Sequence, residues 1–390
     1  MTTAIAAKAR SPSSPPSLGA AAAKPGVAVV MISPEVIGVD RSGRYGAGMR
    51  VDTEVTTDLS RAAASASASE AAGYDAVWAA ETNHDPFFPL LLAASATERI
   101  KLGTSIAVAF SRSPMTLAVT ANDLHLASNG RHILGLGSQI KPHIEKRFSM
   151  PWSHPAPRMR EFILAMRAIW DCWNNGSKLE FRGEFYKHTL MTPMFSPEPN
   201  PYGSPAVYLA GVGELMTETA GEVCDGFISH GFTTERYMRE VTLPALQRGR
   251  TKAGKTMDGF DFSYPAFIVT GANAAEKAKA KAATKKRIAF YGSTPAYKPV
   301  LDMHGWGDVH GALNALSKQG RWVEMGDLIT DDMLDAFAIV AEPADLAKQL
   351  KLRYGDIANR VMVDLPKSTD TELWAEVLAE LKKSGGGPSR

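Results

Sequence analysis

Six residues in succession, Glu81-Thr82-Asn83-His84-Asp85-Pro86, follow a short apolar run and gather a histidine, an amide and two carboxylates. Imidazole exchanges a proton near neutral pH, so His84 is the candidate general acid or base. The competing reading is a surface or satisfied core group, the commoner fate of a lone histidine. A second motif, Gly211-Val212-Gly213, stands between an apolar run and a helical one. Glycines let backbone N–H groups approach an anion, and a helix start adds about 0.3–1 kcal/mol toward holding it. A tight turn would use the same residues. Leu134-Gly135-Leu136-Gly137-Ser138-Gln139, Gly103-Thr104-Ser105-Ile106-Ala107-Val108 and Ser229-His230-Gly231-Phe232 complete the set. Lys141, His143, Lys146 and Arg147 form a basic cluster that reads as a solvated loop. HxxH, HExxH and CxxC spacings are absent, and so is a GxSxG elbow, so no metal site is expected and serine hydrolysis has no support.

These motifs fall at the ends of apolar runs in a chain that alternates strand and helix patterns from residue 50 onward. Strands are expected at Arg50–Val55, Ala76–Ala80, Lys101–Val108, His132–Gly137, Ala206–Ala210, Gly226–Ser229, Asp261–Thr270 and Arg360–Asp364. Helices are expected at Asp58–Ala72, Pro86–Ala96, from Ser113-Pro114 to Asn129-Gly130, and at Arg158–Trp173, Glu214–Val223, Thr233–Ala253, Ala274–Phe290, Pro343–Arg353 and Thr371–Lys383. In Arg158–Trp173 the residues Met159, Phe162, Met166, Ile169, Trp170 and Trp173 share one face. Such alternation argues for a parallel sheet covered by helices, and eight units close a (β/α)₈ TIM barrel of the α/β class. The 342 residues of 49–390 leave room for insertions near 175–205 and 293–335. No GxGxxG follows the first strand, as an open dinucleotide-binding sheet would want. In a TIM barrel the active site lies at the carboxyl ends of the strands, which is where the motifs above fall.

Composition bounds the partners. Net charge is +2 across 390 residues, which offers no polyanion-binding surface and speaks against nucleic acid. No apolar run reaches the roughly 18 residues of a membrane span. The two cysteines, Cys172 and Cys224, lie far apart in apolar stretches, so a disulfide framework is excluded and a cytoplasmic location is expected. Residues 1–48 begin with Lys8, Arg10 and a Ser/Pro/Ala-rich tract, and are expected to form a disordered or accessory extension, with Gly26–Ile37 as a candidate strand. The domain proper is then 49–390.

The stretches GYDAVWAAETNHDPF (73–87), LGTSIAVAFSRSPM (102–115), GRHILGLGSQIKPHIEKRF (130–148), PAVYLAGVG (205–213) and DGFISHGF (225–232) together resemble the luciferase-like monooxygenase superfamily. Within it they are most similar to the coenzyme F420 (deazaflavin)-dependent oxidoreductases of actinobacteria. The resemblance spans about 49–368. It implies a cofactor ring beside His84 and Asn83, a non-proline cis peptide at Ser105–Ile106 backing that ring, and Gly137, Ser138 and Gln139 lining it. Gly211, Val212 and Gly213 would hold the cofactor phosphate, with His230 also at the cofactor. The activity implied is hydride transfer to or from a small organic substrate. FMN is the alternative cofactor, in a two-component monooxygenase, and a non-catalytic cofactor-binding barrel is a further alternative. A homodimer occurs among relatives. The sugar-phosphate dehydrogenases of this group carry a glutamate after the fourth strand and an Asp-His pair. Here Ser138-Gln139 and Asn83-His84 stand at those places, which points away from glucose-6-phosphate and leaves the substrate open.

Overall fold

The computed structural model describes residues 48–366 and 371–383. The expected extension, with its candidate strand, lies outside the described residues apart from Gly48. Eight parallel strands form the centre: β1 (Arg50–Glu54), β2 (Ala76–Ala79), β3 (Lys101–Thr104), β4 (His132–Gly137), β5 (Ala206–Gly211), β6 (Gly226–Ser229), β7 (Asp261–Pro265) and β8 (Arg360–Met362). Each pairs with the next in chain order, and β8 returns to β1 with Val361 opposite Val51. The sheet is therefore a closed barrel, as expected, with no exposed edge.

Local sequence sets the element boundaries. The helix Leu59–Ala72 starts because Asp58 accepts the Ser60 N–H at 3.0 Å, and stops at Gly73, whose φ of 92° suits glycine. Ser113 caps Pro114–Ala127 in the same way, with the proline in its first turn. At the start of Ala274–Gly292, Asn273 accepts the Glu276 N–H and the Glu276 carboxylate accepts the Ala272 N–H.

Along the strands every second residue points inward. Ala76, Trp78, Ile133, Tyr208, Ile228 and Met362 pack together inside the barrel. Their neighbours of opposite parity, such as Val77, Leu134, Val207, Phe227 and Val361, pack outward against the covering helices. Two inward glycines make room for the rings. A Cβ on Gly103 would lie 2.2 Å from Trp78, and one on Gly226 would lie 2.7 Å from the ring of Tyr208.

The amino-terminal end of the barrel is closed by charge. Arg360 donates two hydrogen bonds, of 2.8 and 2.9 Å, to the wholly buried Asp52, and the Trp78 indole adds a third at 3.0 Å. Burial pushes the Asp52 carboxyl up, and Arg360 pulls against that shift. Beside this pair Asp261 accepts from Arg50, from the Tyr208 hydroxyl and from Asn359.

Three expected elements differ in detail. The strand expected over 101–108 is two pieces, β3 and Ala107–Val108, separated by a cis peptide between Ser105 and Ile106. The strand expected over 261–270 leaves the barrel after Pro265. The Ala266 N–H still reaches Met362, but Phe267–Val269 pairs with Ala338–Val340 outside the ring. The helix expected over 233–253 begins only after Thr234 and contains a π-helical turn at Met238–Thr242. Pro244, which has no N–H to donate, follows directly. The insertion near 175–205 holds a small hairpin, Phe181–Arg182 with Lys187–His188. The excursion after 293 holds four short helices, Lys298–Met303, Gly307–Lys318, Trp322–Met325 and Asp331–Phe337. They share a second apolar core with Phe232, Phe267 and Ile288. The basic cluster is a short helix, Lys141–Lys146, and not a loop.

His132, at the start of β4, is 1% exposed and donates from Nδ1 to the Leu102 carbonyl at 2.9 Å. Burial pushes its imidazole down to about 3. The unfolded chain therefore binds a proton below about pH 6.5 that the folded chain refuses until about pH 3. This one residue should cost about 1.4 kcal/mol of stability per pH unit fallen within that window, and nothing above it. His132→Asn keeps a donor toward Leu102 and removes the titration. Urea midpoints measured from pH 7 down to 4 should fall more steeply for the wild type than for the variant.

Candidate active site at the carboxyl end of the barrel

Inward positions at the carboxyl ends are more accessible than those in the middle of the barrel. Asp52, Trp78, Gly135 and Ile228 are buried, whereas Glu54, Ala80, Ser105, Ala210 and His230 at the carboxyl ends are partly or fully exposed. The interior thus opens into a mouth at that end. The expected residues all lie there, on five neighbouring strands from β2 to β6.

Asn83 and His84 sit in the exposed loop between β2 and the helix Phe87–Ala96. His84 makes no hydrogen bond among the described residues, so both ring nitrogens are free for solvent or ligand. The loop is nevertheless held firmly. The Glu81 carboxylate, 7% exposed, accepts the Val108 N–H and Arg112 Nη1, each at 2.7 Å. The other Arg112 nitrogen reaches Asp85 at 2.9 Å, and Asp85 caps the Phe87 N–H. One guanidinium therefore grips both sides of Thr82-Asn83-His84 and ties them to the chain after the cis peptide. Glu81 N–H also donates to the Ile106 carbonyl at 3.2 Å. From the far side, Arg147 donates to the Thr82 carbonyl, which gives the basic cluster a structural part.

The cis bond joins Ser105 and Ile106, the position the resemblance implies, and both residues are partly exposed. Next to them β4 comes close because it lacks side chains. Thr104 Oγ1 bridges the Gly135 N–H and carbonyl at 2.9 and 2.7 Å. A Cβ on Gly137 would lie 2.8 Å from the Ile106 side chain. Ser138 and Gln139 follow, partly exposed, with Gln139 at φ 60°.

Gly211-Val212-Gly213 leads into the helix Glu214–Val223, which has no side-chain cap at its start. A Cβ on Gly213 would meet nothing within 4 Å, and its φ is −89°, so that position is open space on ordinary backbone. Gly211 is tighter, with a Cβ landing 3.3 Å from the Thr217 nitrogen. Glu214 beside this turn is paired with Arg248 at 2.8 Å, which offsets its charge.

His230, after β6, is of the same inward parity as Gly226 and Ile228. Its Nδ1 accepts the Phe232 N–H at 2.9 Å, and its ring lies against Tyr291 and Tyr297 at 4.5 and 4.6 Å. Two surface hollows are lined by other residues, one by Phe290 and Trp322 and one by Gln247 and Arg248.

The model of the luciferase-like monooxygenase family matches residues 41–359. The chain belongs to that family. It is 54% identical to an uncharacterised protein of Mycobacterium tuberculosis, over 80% of this chain and 92% of the relative. It is 29% identical to a 5,10-methylenetetrahydromethanopterin reductase of Archaeoglobus fulgidus, over 72% of this chain and 82% of that enzyme. Among solved structures, the coenzyme F420-dependent tetrahydromethanopterin reductase from Methanopyrus kandleri superposes with a TM-score of 0.70 at 21% identity. That match covers 86% of this chain and 98% of that one, a likeness of fold. Membership makes the protein an oxidoreductase. No helix among the described residues is long and apolar enough to cross a membrane.

Three features of the mouth were not singled out from sequence. The Glu81–Arg112–Asp85 clamp joins residues about thirty apart, and no local pattern announces it. Tyr291 and Tyr297 come from the excursion and its preceding helix. Glu54 could have been found, because Arg50, Asp52 and Glu54 alternate on the inward side of β1. The clamp makes a prediction. Arg112→Leu leaves the Glu81 carboxylate buried with half its partners, and should cost about 1–3 kcal/mol of stability. Arg112→Lys keeps the charge without the fork and should fall between the two, as thermal unfolding of the three proteins would read out.

Proposed function

We propose that the protein is a coenzyme F420-dependent oxidoreductase that moves a hydride to or from a small organic substrate, with FMN as the rival cofactor. The observation that carries this is the row of strand ends at β3, β4 and β5: a partly exposed cis peptide at Ser105–Ile106, the partly exposed Ser138 and Gln139 after β4, and open space at Gly213 before an uncapped helix. In this arrangement a flat ring would rest against the cis peptide and a phosphate would lie at the open turn of Gly213. Relatives whose names state coenzyme F420 dependence, at 27% and 31% identity, favour deazaflavin over FMN.

In this reading Ser105, Ile106, Gly137, Ser138 and Gln139 hold the ring, and Gly211, Val212 and Gly213 hold the phosphate through backbone N–H groups. The bound deazaflavin supplies a two-electron hydride carrier, and the protein supplies the geometry. Asn83 positions the substrate side of the loop. His84 gives or takes, at an imidazole nitrogen, the proton that accompanies the hydride. The Arg112 clamp keeps that nitrogen in place while the ring stays accessible.

Fluorescence titration with coenzyme F420 and with FMN separates the cofactors, and tighter binding of F420 is expected. Gly213→Asp puts a negative charge into the open space at the turn, and should weaken that binding at least about tenfold, with the circular dichroism spectrum unchanged. His84→Gln should lower turnover by roughly 10²–10⁴-fold and leave cofactor affinity nearly unchanged. Undiminished binding by the Gly213 variant would reduce the glycines to a turn. Tighter binding of FMN would move the reading to the monooxygenase, and binding without turnover on any carbonyl or alcohol to a carrier barrel.

A further inference from the structure

His230 stands on the inward side of the mouth, and backbone fixes its tautomer. Its Nδ1 accepts the Phe232 N–H at 2.9 Å, so in the neutral ring the proton must be on Nε2. Burial pushes the imidazole down to about 4, so the neutral form prevails at ordinary pH. The ring cannot easily turn over, because it lies face to face with Tyr297 at 4.6 Å and against the edge of Tyr291 at 4.5 Å. The backbone next to it is fixed as well. A Cβ on Gly231 would stand 3.0 Å from the Pro265 carbonyl and 2.7 Å from the ring of Phe267. Among the described residues Nε2 has no hydrogen-bond partner, and the residue is only partly buried.

Taken together these make a neutral N–H donor at fixed orientation, walled by tyrosine rings and without a cation among its ring neighbours. We infer that His230 is a specificity-determining residue whose Nε2–H binds the carbonyl or hydroxyl oxygen of an uncharged, largely apolar substrate, with Tyr291 and Tyr297 packing the apolar remainder. The inference deepens the proposed function by naming the substrate class for the same mouth. It moves His230 from the cofactor, where the resemblance puts it, to the substrate. A phosphorylated or polyanionic substrate does not suit it, since one neutral donor cannot balance such charge.

Acetophenone and α-methylstyrene test this directly, because they share a shape and differ in an acceptor oxygen against a methylene. Calorimetric titration of the full-length protein without cofactor should give acetophenone a preference of about 2–10-fold, the worth of one neutral hydrogen bond. His230→Phe keeps a ring between the tyrosines, leaves a buried carbonyl without a donor, and should abolish the preference or reverse it. His230→Gln carries an amide N–H near the place of Nε2 and should restore the preference. A merely structural role would not separate the two variants. A ratio near one in the wild type, or equal ratios in both variants, would overturn the assignment. The same proteins titrated with coenzyme F420 should bind it alike. Loss of F420 binding by the wild type would instead sink the proposed function, while leaving the oxygen preference readable.

Discussion

The barrel exists because its first strand meets its last. Asp52 on β1 and Arg360 on β8 are 308 residues apart in sequence and form a two-pronged ion pair with both side chains nearly inaccessible. Such a pair contributes little net stability compared with an apolar plug, but breaking it strands a buried charge at a cost of about 3–5 kcal/mol. Its value lies in register. The two carboxylate oxygens match the guanidinium fork only when Val51 stands opposite Val361, and Trp78 on β2 adds its indole to the same carboxylate. Three consecutive strands of the ring are thereby aligned at one end.

Everything at the other end inherits that alignment. The mouth takes residues from five neighbouring strands, and a slip of one residue would turn each inward side chain outward. The layering above the ion pair is equally strict. Trp78 and Tyr208 fill the middle of the barrel only because Gly103 and Gly226 leave room for them. Above that layer the inward positions become small or polar, and the interior opens. The excursion after β7 then closes one side of the mouth with aromatic rings. The clamp at Arg112 rigidifies the opposite side, where Asn83 and His84 emerge.

Much of this was legible in the chain. Runs of buried strand and amphipathic helix have different periods, so eight β/α units and nearly all their borders could be read from residue types alone. Gly73, Ser113-Pro114 and Asn129-Gly130 marked their turns as expected. The breaks were less legible. Nothing in the side chains of Ser105 and Ile106 signals a cis bond, and only the resemblance placed it there. Likewise, the end of β7 at Pro265 depends on a partner strand at Ala338–Val340, some seventy residues later. The clamp and the tyrosine walls depend on tertiary contacts alone. The mouth was therefore visible as a set of strand ends, whereas what holds each end in place was not.

In the proposed function one cofactor bridges the cis peptide, the residues that follow β4 and the turn before the helix at Glu214. Amide hydrogen exchange, with and without saturating coenzyme F420, tests it most directly. Slower exchange is expected in three segments, residues 105–108, 137–140 and 212–217. The fast amides of the helix start should show the largest change. Protection at other strand ends, with these three segments unaltered while F420 is demonstrably bound, would contradict it.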